Sequence, residues 1–495
     1  MTAKLPKQPG AQQAVFELTR LPLVKTLLRS RWPQFGLRLV ALLGFVLAIL
    51  AGLLGTPVGS RNFAIIFVWI AWWALLMLIA VPLFGRGWCS ICPIPLPGEW
   101  IQQGAILDPP GGTAGKWGRG LGRRWPKQLR SIWLQNGAFA MLALFSTVVL
   151  TNPQISAIVL AAFLFIAFGT SLIFERRAFC RYLCPVGGFI GLYAQCAPVE
   201  LRIKDSTVCA AHTQKTCYTG NADGYGCPWQ VYPGGLTKNT YCGTCMECLR
   251  TCPHDNIAIN LRALGNDLLS PGGRKLDEVF KAFIMLGSAI VYSAVLLGPW
   301  GSLKSAAYGV GSLPWFAYAA AFLVFVFGVL PGAFLLVVAV GRAIAAAGLT
   351  VPVLVSGRAA PKRQMPENTL KSAFITLAYS LVPLGLTAWI AFSLSFVFTN
   401  LSYIWPSLSD PLGWGWNLFG TAHINWTPYL TQVVPVIQAL VLLGGLVWSN
   451  RTARTLAGQL LDRKQLPEQA RFRLALPVTV YSFLITAALM GLLIG

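Results

Sequence analysis

The sequence predicts an all-α polytopic membrane protein of about nine transmembrane helices, with a cysteine-rich module inserted on the cytoplasmic side. Three observations support this fold class. Of 495 residues, 55% are hydrophobic and only 11% are charged, whereas a soluble domain carries about 25% charged residues. Apolar runs of bilayer-spanning length recur along the whole chain. All twelve cysteines lie between residues 89 and 252.

Nine apolar runs have about the 20 residues that a helix needs to cross a bilayer. The sixth run contains Pro331 and Gly332, which predict a kink inside one span rather than two separate half-helices. We predict the spans at 36–55, 62–84, 131–151, 155–174, 280–298, 315–341, 369–398, 427–448 and 474–494.

Lysine and arginine are concentrated in alternate connections between these runs. Of the 39 basic residues, 37 lie in five segments, and the other connections carry only Arg61 and Lys304. The five segments are 1–38, 85–130, 175–281, 342–371 and 450–473. Because basic loops remain cytoplasmic, we predict a bacterial-type cytoplasmic (inner) membrane protein with its N-terminus inside and its C-terminus outside. The net charge of +23 then reflects topology and contact with membrane lipid, and not binding of nucleic acid.

These assignments divide the chain into four predicted parts. They are a basic cytoplasmic N-terminal segment (1–35), a four-helix membrane domain (36–195), a cysteine-rich module (196–265) and a C-terminal membrane domain of about five helices (266–495). Residues 14–31 mix apolar and basic side chains. They indicate either an interfacial helix that begins near Pro22 or an ordinary basic tail.

The cysteine-rich module contains the most specific motif, Cys242-x2-Cys245-x2-Cys248-x3-Cys252-Pro253. This is the spacing of the bacterial ferredoxin run, in which three thiolates bind one 4Fe-4S cluster and the fourth binds another. Zinc sites more often use Cys-x2-Cys pairs separated by a longer loop. Cys227 is also followed by proline, so we predict that it completes the first cluster with Cys242, Cys245 and Cys248.

A second cluster would use Cys252 together with the upstream half of the module, which is irregular. Cys209 and Cys217 are the evident ligands in that half. The fourth ligand is Cys196 or His212, and we favour Cys196 because ligation by four thiolates is usual. A three-iron cluster or a vacant second site are alternatives.

Four further cysteines form two Cys-Pro motifs where the second and fourth spans end. Cys89 and Cys92 precede Pro93, and Cys180 and Cys184 precede Pro185. The two spans run in the same direction, so their ends can face each other. Four thiols there could bind a third cluster, form a redox-active dithiol pair or serve as buried structural thiols.

The two Cys-Pro motifs, Arg86-x2-Cys89-x2-Cys92-Pro93 and Cys180-x3-Cys184-Pro185, followed by a ferredoxin module, resemble the membrane-bound 4Fe-4S ferredoxin family. That family includes NapH-like, NosR-like and CcoG-like proteins. The resemblance covers about residues 36–265 and implies transfer of electrons between a membrane carrier, usually quinol, and a partner. The x2 spacing in the first motif and the irregular upstream ferredoxin half depart from the family pattern. Residues 280–495 have no counterpart in it.

Other cofactors find little support in the sequence. The chain has three histidines, His212, His254 and His423, none of them within a predicted span. A b-haem with paired axial histidines is therefore not expected. The glycine-rich stretch 109–130 lacks the pattern of a nucleotide-binding loop. His423 lies among tryptophans in an outer segment and indicates either a quinone site or an interfacial aromatic belt.

Three functions remain open at this point. The first is an electron-transfer subunit of a quinone-linked oxidoreductase complex, with a redox partner on the cytoplasmic face and the substrate chemistry on another polypeptide. The second is a copper-reducing or metalloenzyme assembly factor that uses the four membrane-edge thiols, since thiolates suit Cu(I). The third is a transporter with a redox-regulatory ferredoxin module.

Overall fold

The computed structural model describes residues 14–107, 120–349, 354–355, 358–359, 369–461 and 468–494. The chain divides into two compact units. Unit 1 comprises Met1–Ser270 and Val397–Tyr429, and unit 2 comprises Pro271–Phe396 and Leu430–Gly495. All twelve cysteines therefore belong to unit 1. Both units are mostly helical, which confirms the predicted all-α polytopic fold.

Eight helical runs among the described residues are long and apolar enough to cross a membrane. They match eight of the nine predicted spans. The runs are Trp32–Leu54, Phe63–Ile91, Pro153–Ile173, Leu276–Leu297, Leu313–Ala347, Leu370–Ser409, Val434–Leu460 and Glu468–Leu493.

Two of the predicted spans contain an irregular segment. The predicted third span is a pair of shorter helices, Trp133–Leu144 and Ser146–Val149, because the backbone leaves the helical conformation at Phe145. The predicted sixth span is one run, as expected. A π-helical segment, Phe325–Val329, precedes its proline and joins Leu313–Val324 to Leu330–Leu349.

Shorter helices connect these runs. In unit 1 they are Pro22–Arg29, Leu96–Gln103, Pro185–Tyr193, Ser206–Ala211, Thr216–Thr219 and Glu247–Thr251. In unit 2 the added helix is Gly301–Tyr308. The run Leu370–Ser409 contains the helices Leu370–Ala378, Leu381–Asn400 and Ile404–Ser409. The helix Pro22–Arg29 begins at the proline at which the sequence predicted a helix start.

The cysteine-rich module is built on a three-stranded antiparallel sheet of order β1-β3-β2. Strands β2 (Val199–Ile203) and β3 (Ile257–Arg262) pair in register from Val199 opposite Leu261 to Ile203 opposite Ile257. Strand β1 (Ala14–Glu17) pairs with the free edge of β3. The N-terminal segment is thus part of the sheet of this module, which its basic composition did not indicate. Two further short strands, Leu354–Val355 and Arg358–Ala359, pair with each other in unit 2.

Irregular helix geometry positions both Cys-Pro motifs. The run Phe63–Ile91 is π-helical over Leu75–Phe84, where Pro82 lacks the amide hydrogen of an α-helical bond. Gly85 then takes a φ of 56°, and a Cβ there would lie 3.1 Å from Cβ of Ala194. Cys180 lies in a second π-helical segment, Phe179–Leu183. Such π segments often occur at functional sites.

Candidate iron–sulfur site

Four cysteines predicted to bind the first cluster line one small cavity of about 330 Å³. We call Cys227, Cys242, Cys245 and Cys248 the ferredoxin quartet. Burial, together with the nearby Cys227 thiol, raises the pKa of Cys245 to about 12 and that of Cys242 to about 11. Thiols in this environment stay protonated unless a cation compensates the thiolate charge, as the irons of a cluster do.

The loop that presents this quartet needs unusual backbone angles. Thr244 and Met246 both have positive φ, 44° and 65°, which turns the chain between successive thiols. Gly243 has no space for a side chain, because a Cβ there would lie 2.0 Å from Nε1 of Trp229. The backbone amide of Val231 donates to Sγ of Cys227 at 3.4 Å.

A second group of thiols comprises Cys209, Cys217 and Cys252, which we call the thiol triad. Burial and the charges of Cys252 and Cys209 raise the pKa of Cys217 to about 12. Asn256 contacts two of the sulfurs, since its backbone amide donates to Cys252 at 3.4 Å and its side-chain amide donates to Cys209 at 3.3 Å. The structure therefore brings together three of the four ligands predicted for the second cluster.

The two candidates for the fourth ligand, Cys196 and His212, have surroundings that differ from those of the triad thiols. Cys196 is 1% exposed. Burial raises its pKa, and its charged neighbours are Arg262 and Asp267. The buried apolar cluster that contains Cys209 and Cys217, with Cys252 packed against it, does not include Cys196. His212 approaches the backbone oxygen of Val208 at 2.7 Å through Nδ1 and lies 4.7 Å from the ring of His254.

The two Cys-Pro motifs meet at the wall of a larger, mainly apolar cavity of about 820 Å³. We call Cys89, Cys92, Cys180 and Cys184 the membrane-edge quartet. Burial, reinforced by Cys89 and Cys184, raises the pKa of Cys92 to about 12. Burial likewise raises the pKa of Cys184 to about 11, although the amide of Gly187 donates to its sulfur at 3.2 Å. The same wall contains Trp69, Trp72, Trp73, Trp88 and Trp229.

Two buried arginines join the cysteine loops. Arg177 donates to the backbone oxygen of Cys89 at 2.9 Å and forms an ion pair with Glu99. Arg86 donates to the backbone oxygens of Thr240 and Cys180, which links the loop of the ferredoxin quartet to the second Cys-Pro motif. The positions of the two arginines before their motifs were visible in the sequence, but their roles as links between loops were not.

One residue that the sequence did not single out lies between the two quartets. Trp229 is 1% exposed and belongs to the walls of both cysteine-lined cavities. Its indole lies under the guanidinium of Arg86, 4.3 Å from the ring centroid. Its place directly after Cys227-Pro228 is the signal that could have identified it.

The donor set fits iron–sulfur clusters. Within the ranges that the structure describes, no three His, Cys, Asp or Glu side chains lie close enough to share one metal ion. A cubane needs a wider arrangement, because each thiolate binds its own iron at a separate corner. His423, the predicted alternative quinone contact, is exposed in the segment 397–429 and lines neither cysteine cavity.

Comparison with known proteins agrees with this donor set. A model described as a 4Fe-4S binding domain matches residues 65–121 and 156–202, the segments that contain the membrane-edge quartet. Escherichia coli K12 has a relative named "Putative electron transport protein YccM", 28% identical over 83 residues. That match covers 16% of this chain and 21% of the relative.

A second relative is the uncharacterized protein MJ0750 of Methanocaldococcus jannaschii, which is 27% identical over 111 residues. This match covers 22% of this chain and 40% of that protein. No solved structure matches the chain. Over the segments that contain its Cys-Pro motifs, the chain is thus similar to 4Fe-4S binding domains, in agreement with the resemblance seen in the sequence, and it spans less than half the length of either relative.

Proposed function

We propose that the protein passes electrons between 4Fe-4S clusters on the cytoplasmic side and a quinone or quinol in the membrane, or a partner redox subunit. The observation that carries this proposal is that Trp229 forms part of the walls of both cysteine-lined cavities. Two redox centres separated by one side chain form a continuous path from the ferredoxin module to the membrane domain. The ferredoxin quartet and the thiol triad would hold two clusters in that module.

The membrane-edge quartet is proposed to hold a third 4Fe-4S cluster. Its four thiols come from two helix ends and line a single cavity. The segments that match the 4Fe-4S binding domain contain all four of them. A cluster here would place the last redox centre of the chain next to the apolar part of the cavity.

A quinone is the proposed membrane carrier. The wall of the membrane-edge cavity is dominated by tryptophan, phenylalanine and aliphatic side chains, such as Trp72, Phe45 and Leu160. Apolar, aromatic cavities of this kind bind planar hydrophobic ligands. The ring of Trp72 lies 5.4 Å from that of Trp88, the residue before Cys89.

An electron-transfer protein needs a redox partner besides the quinone. We propose docking of a redox protein to the cytoplasmic face, as one subunit of a larger complex in the inner membrane. The positive charge of that face supports this orientation, since 37 of 39 lysines and arginines lie in the segments assigned to it.

Iron analysis and quinol reduction of the purified protein test the proposal. We expect about twelve iron atoms per chain for three cubanes, with matching labile sulfide and cluster EPR signals that appear on addition of a menaquinol analogue. Replacement of Cys180 by serine should remove about four iron atoms and abolish quinol reduction, whereas Cys196→Ser should change neither. Zinc without labile sulfide, or clusters that quinol does not reduce, would contradict the proposal.

Copper handling is a second candidate, favoured by the four soft thiols that line the membrane-edge cavity. Thiolates suit Cu(I), and a site at a membrane edge could pass copper to a metalloenzyme. Purified protein with about eight iron atoms and one copper per chain would support this function instead.

Transport regulated by the ferredoxin module is a third candidate, favoured by charges inside unit 2. Asp277, Glu278 and Lys281 are buried near the start of the run Leu276–Leu297. Tyr379 donates to Oε2 of Glu278 at 2.5 Å. Intramembrane charges often mark ion or proton pathways. Flux in vesicles that follows the reduction of the ferredoxin module would support this function.

A further inference from the structure

We propose that Trp229 is the bridge through which an electron passes between the ferredoxin quartet and the membrane-edge quartet, and that its indole N–H donates to a sulfur of the first cluster. The inference rests on the proposed function insofar as both quartets hold redox centres. One electron leaves the reduced centre and arrives at the oxidised one, and no bond is formed or broken.

Trp229 lies between the two cysteine-lined cavities. The cavity of the ferredoxin quartet and the cavity of the membrane-edge quartet share Trp229 as a lining residue. Its side chain is 1% exposed, so water does not separate the two sites at this point. The residue follows Cys227 by two positions and is therefore fixed to a ligand of the first cluster.

The indole N–H of Trp229 indicates a hydrogen-bond acceptor in the site. Nε1 of Trp229 is fully buried and has no hydrogen-bond partner among the described residues. A buried N–H without a partner is costly, so it indicates an acceptor that belongs to the site. Apart from the indole itself, the side chains of the smaller cavity are thiols and aliphatic groups. The acceptor this site offers is a thiolate or sulfide of the cluster.

The close approach of the cluster loop supports the direction of this N–H. Gly243 lies between the ligands Cys242 and Cys245. A Cβ on Gly243 would lie 2.0 Å from Nε1 of Trp229. The N–H edge of the indole thus packs directly on the loop that carries the thiolates.

The ring of Trp229 lies beside two positively charged side chains. The guanidinium of Arg86 lies 4.3 Å from the centroid of the Trp229 ring, and that of Arg177 lies 5.7 Å away. Two cations beside one indole disfavour a ring radical cation by repulsion. The ring therefore acts as a medium through which the electron tunnels, without being oxidised itself.

Two substitutions separate the roles of the ring and the N–H. Trp229→Phe keeps an aromatic ring and removes the donor, so the reduction potential of the first cluster should become more negative while transfer to the membrane-edge centre remains fast. Hydrogen bonds to cluster sulfurs raise the reduction potential. Trp229→Leu removes both, so we expect the same shift together with loss of the fast transfer phase. Trp389→Phe is the matched control, because Trp389 is equally buried and lines neither cysteine cavity.

The measurements are EPR-monitored redox titration and stopped-flow reoxidation of the first cluster, both on the full-length protein in detergent. An unchanged potential in Trp229→Phe would overturn the N–H role, and an unchanged fast phase in Trp229→Leu would overturn the bridge. Iron content shows whether each variant is intact. If Trp229→Leu loses its clusters, Gly243→Ala tests the same contact by displacing the indole, and an unshifted potential there would count against the proposal.

The redox titration uses dithionite as the reductant and requires no quinone. Failure of quinol to reduce the wild-type protein would therefore contradict the proposed function, while the potential of Trp229→Phe would still decide the role of the N–H.

Discussion

At the scale of single residues, the charges buried around the membrane-edge quartet form ion pairs. Glu99 is 5% exposed and accepts from Nη2 of Arg177 at 2.9 Å and from Arg38 at 3.3 Å. Burial alone would raise the pKa of Glu99, but the charges of these two arginines outweigh it and hold the pKa below its usual value. One carboxylate thus compensates two cations that support the Cys-Pro loops.

Replacing Glu99 by Gln should destabilise the protein by about 3–5 kcal/mol, because it leaves a buried guanidinium without its counter-charge. Since the pKa of Glu99 is depressed in the folded state, its contribution is present above the ordinary value of 4.5 and is lost as pH falls through the folded-state pKa. Thermal unfolding of wild type and Glu99→Gln should therefore differ at pH 7 and converge in strong acid. Equal melting temperatures at pH 7 would contradict this prediction.

The surroundings of Cys196 lead to a second prediction. Its neighbours Arg262 and Asp267 belong to a buried network that also includes Glu200, which binds Arg262 at 2.8 Å. We expect Cys196→Ser to retain the full iron content and Cys217→Ser to lose the second cluster. If the triad binds its cluster through three thiolates, the oxidised protein should show the EPR signal of a three-iron cluster. Loss of iron in Cys196→Ser would restore that residue as the fourth ligand.

The sequence indicates the candidate ligands but not the contacts between their loops. The spacing from Cys242 to Cys252 reflects a local loop, so it could be recognised directly. Trp229 and Arg86 act across loops that are distant in the chain, and such contacts leave no periodic pattern. The structure brings the three thiols of the triad together, and their role as cluster ligands stays a prediction. The preference for Cys196 relied on the usual number of ligands, which does not encode position.

At the scale of elements, close contact between two spans depends on one glycine. A Cβ at Gly52 would lie 2.6 Å from Cβ of Ala157 and 2.6 Å from the backbone oxygen of Pro153. The helices Trp32–Leu54 and Pro153–Ile173 therefore approach closely at this point, as small residues allow in membrane helices. Gly44, in the first of these helices, has its nearest neighbour at 3.6 Å, an ordinary contact distance.

Gly52→Ala should cost about 1–3 kcal/mol through overpacking of this contact. Gly44→Ala is the matched control and should not destabilise, since its Cβ fits the available space. The midpoint of thermal unfolding in detergent measures the difference. Similar midpoints for the two variants would show that the helices can separate without cost.

Long elements were predictable and short ones were not. Apolar length identified every long membrane run because a bilayer imposes a minimum number of residues. Strand β1 is four residues long, and its pairing with β3 depends on a partner more than two hundred residues away. The π-helical segments that carry or precede the cysteines were also missed, because their hydrophobicity is the same as that of α-helix.

At the scale of the whole molecule, the meeting of the two Cys-Pro motifs constrains the topology. Cys92 and Cys184 line one cavity, so the ends of the two spans that carry them lie on the same side of the membrane. The chain between them must cross the membrane an even number of times. We therefore predict that Pro153–Ile173 makes one crossing and that the broken pair Trp133–Leu144 and Ser146–Val149 makes the other. At 1.5 Å per residue the 17 residues of the stretch 133–149 extend about 25 Å.

The predicted nine crossings can be tested through the sidedness of three loops. Epitope tags inserted after Gly122, Gly272 and Gly415 lie at exposed positions. With the basic segments inside, the tag after Gly415 should be accessible to antibody in intact spheroplasts, and the other two should become accessible only after permeabilisation. Opposite accessibility of the tags after Gly122 and Gly272 would mean that the broken pair does not cross. If all three were inverted, the clusters would lie outside, where basic loops are disfavoured. The iron content of each tagged protein should match that of the wild type, which shows that the insertion has left the cysteine sites intact.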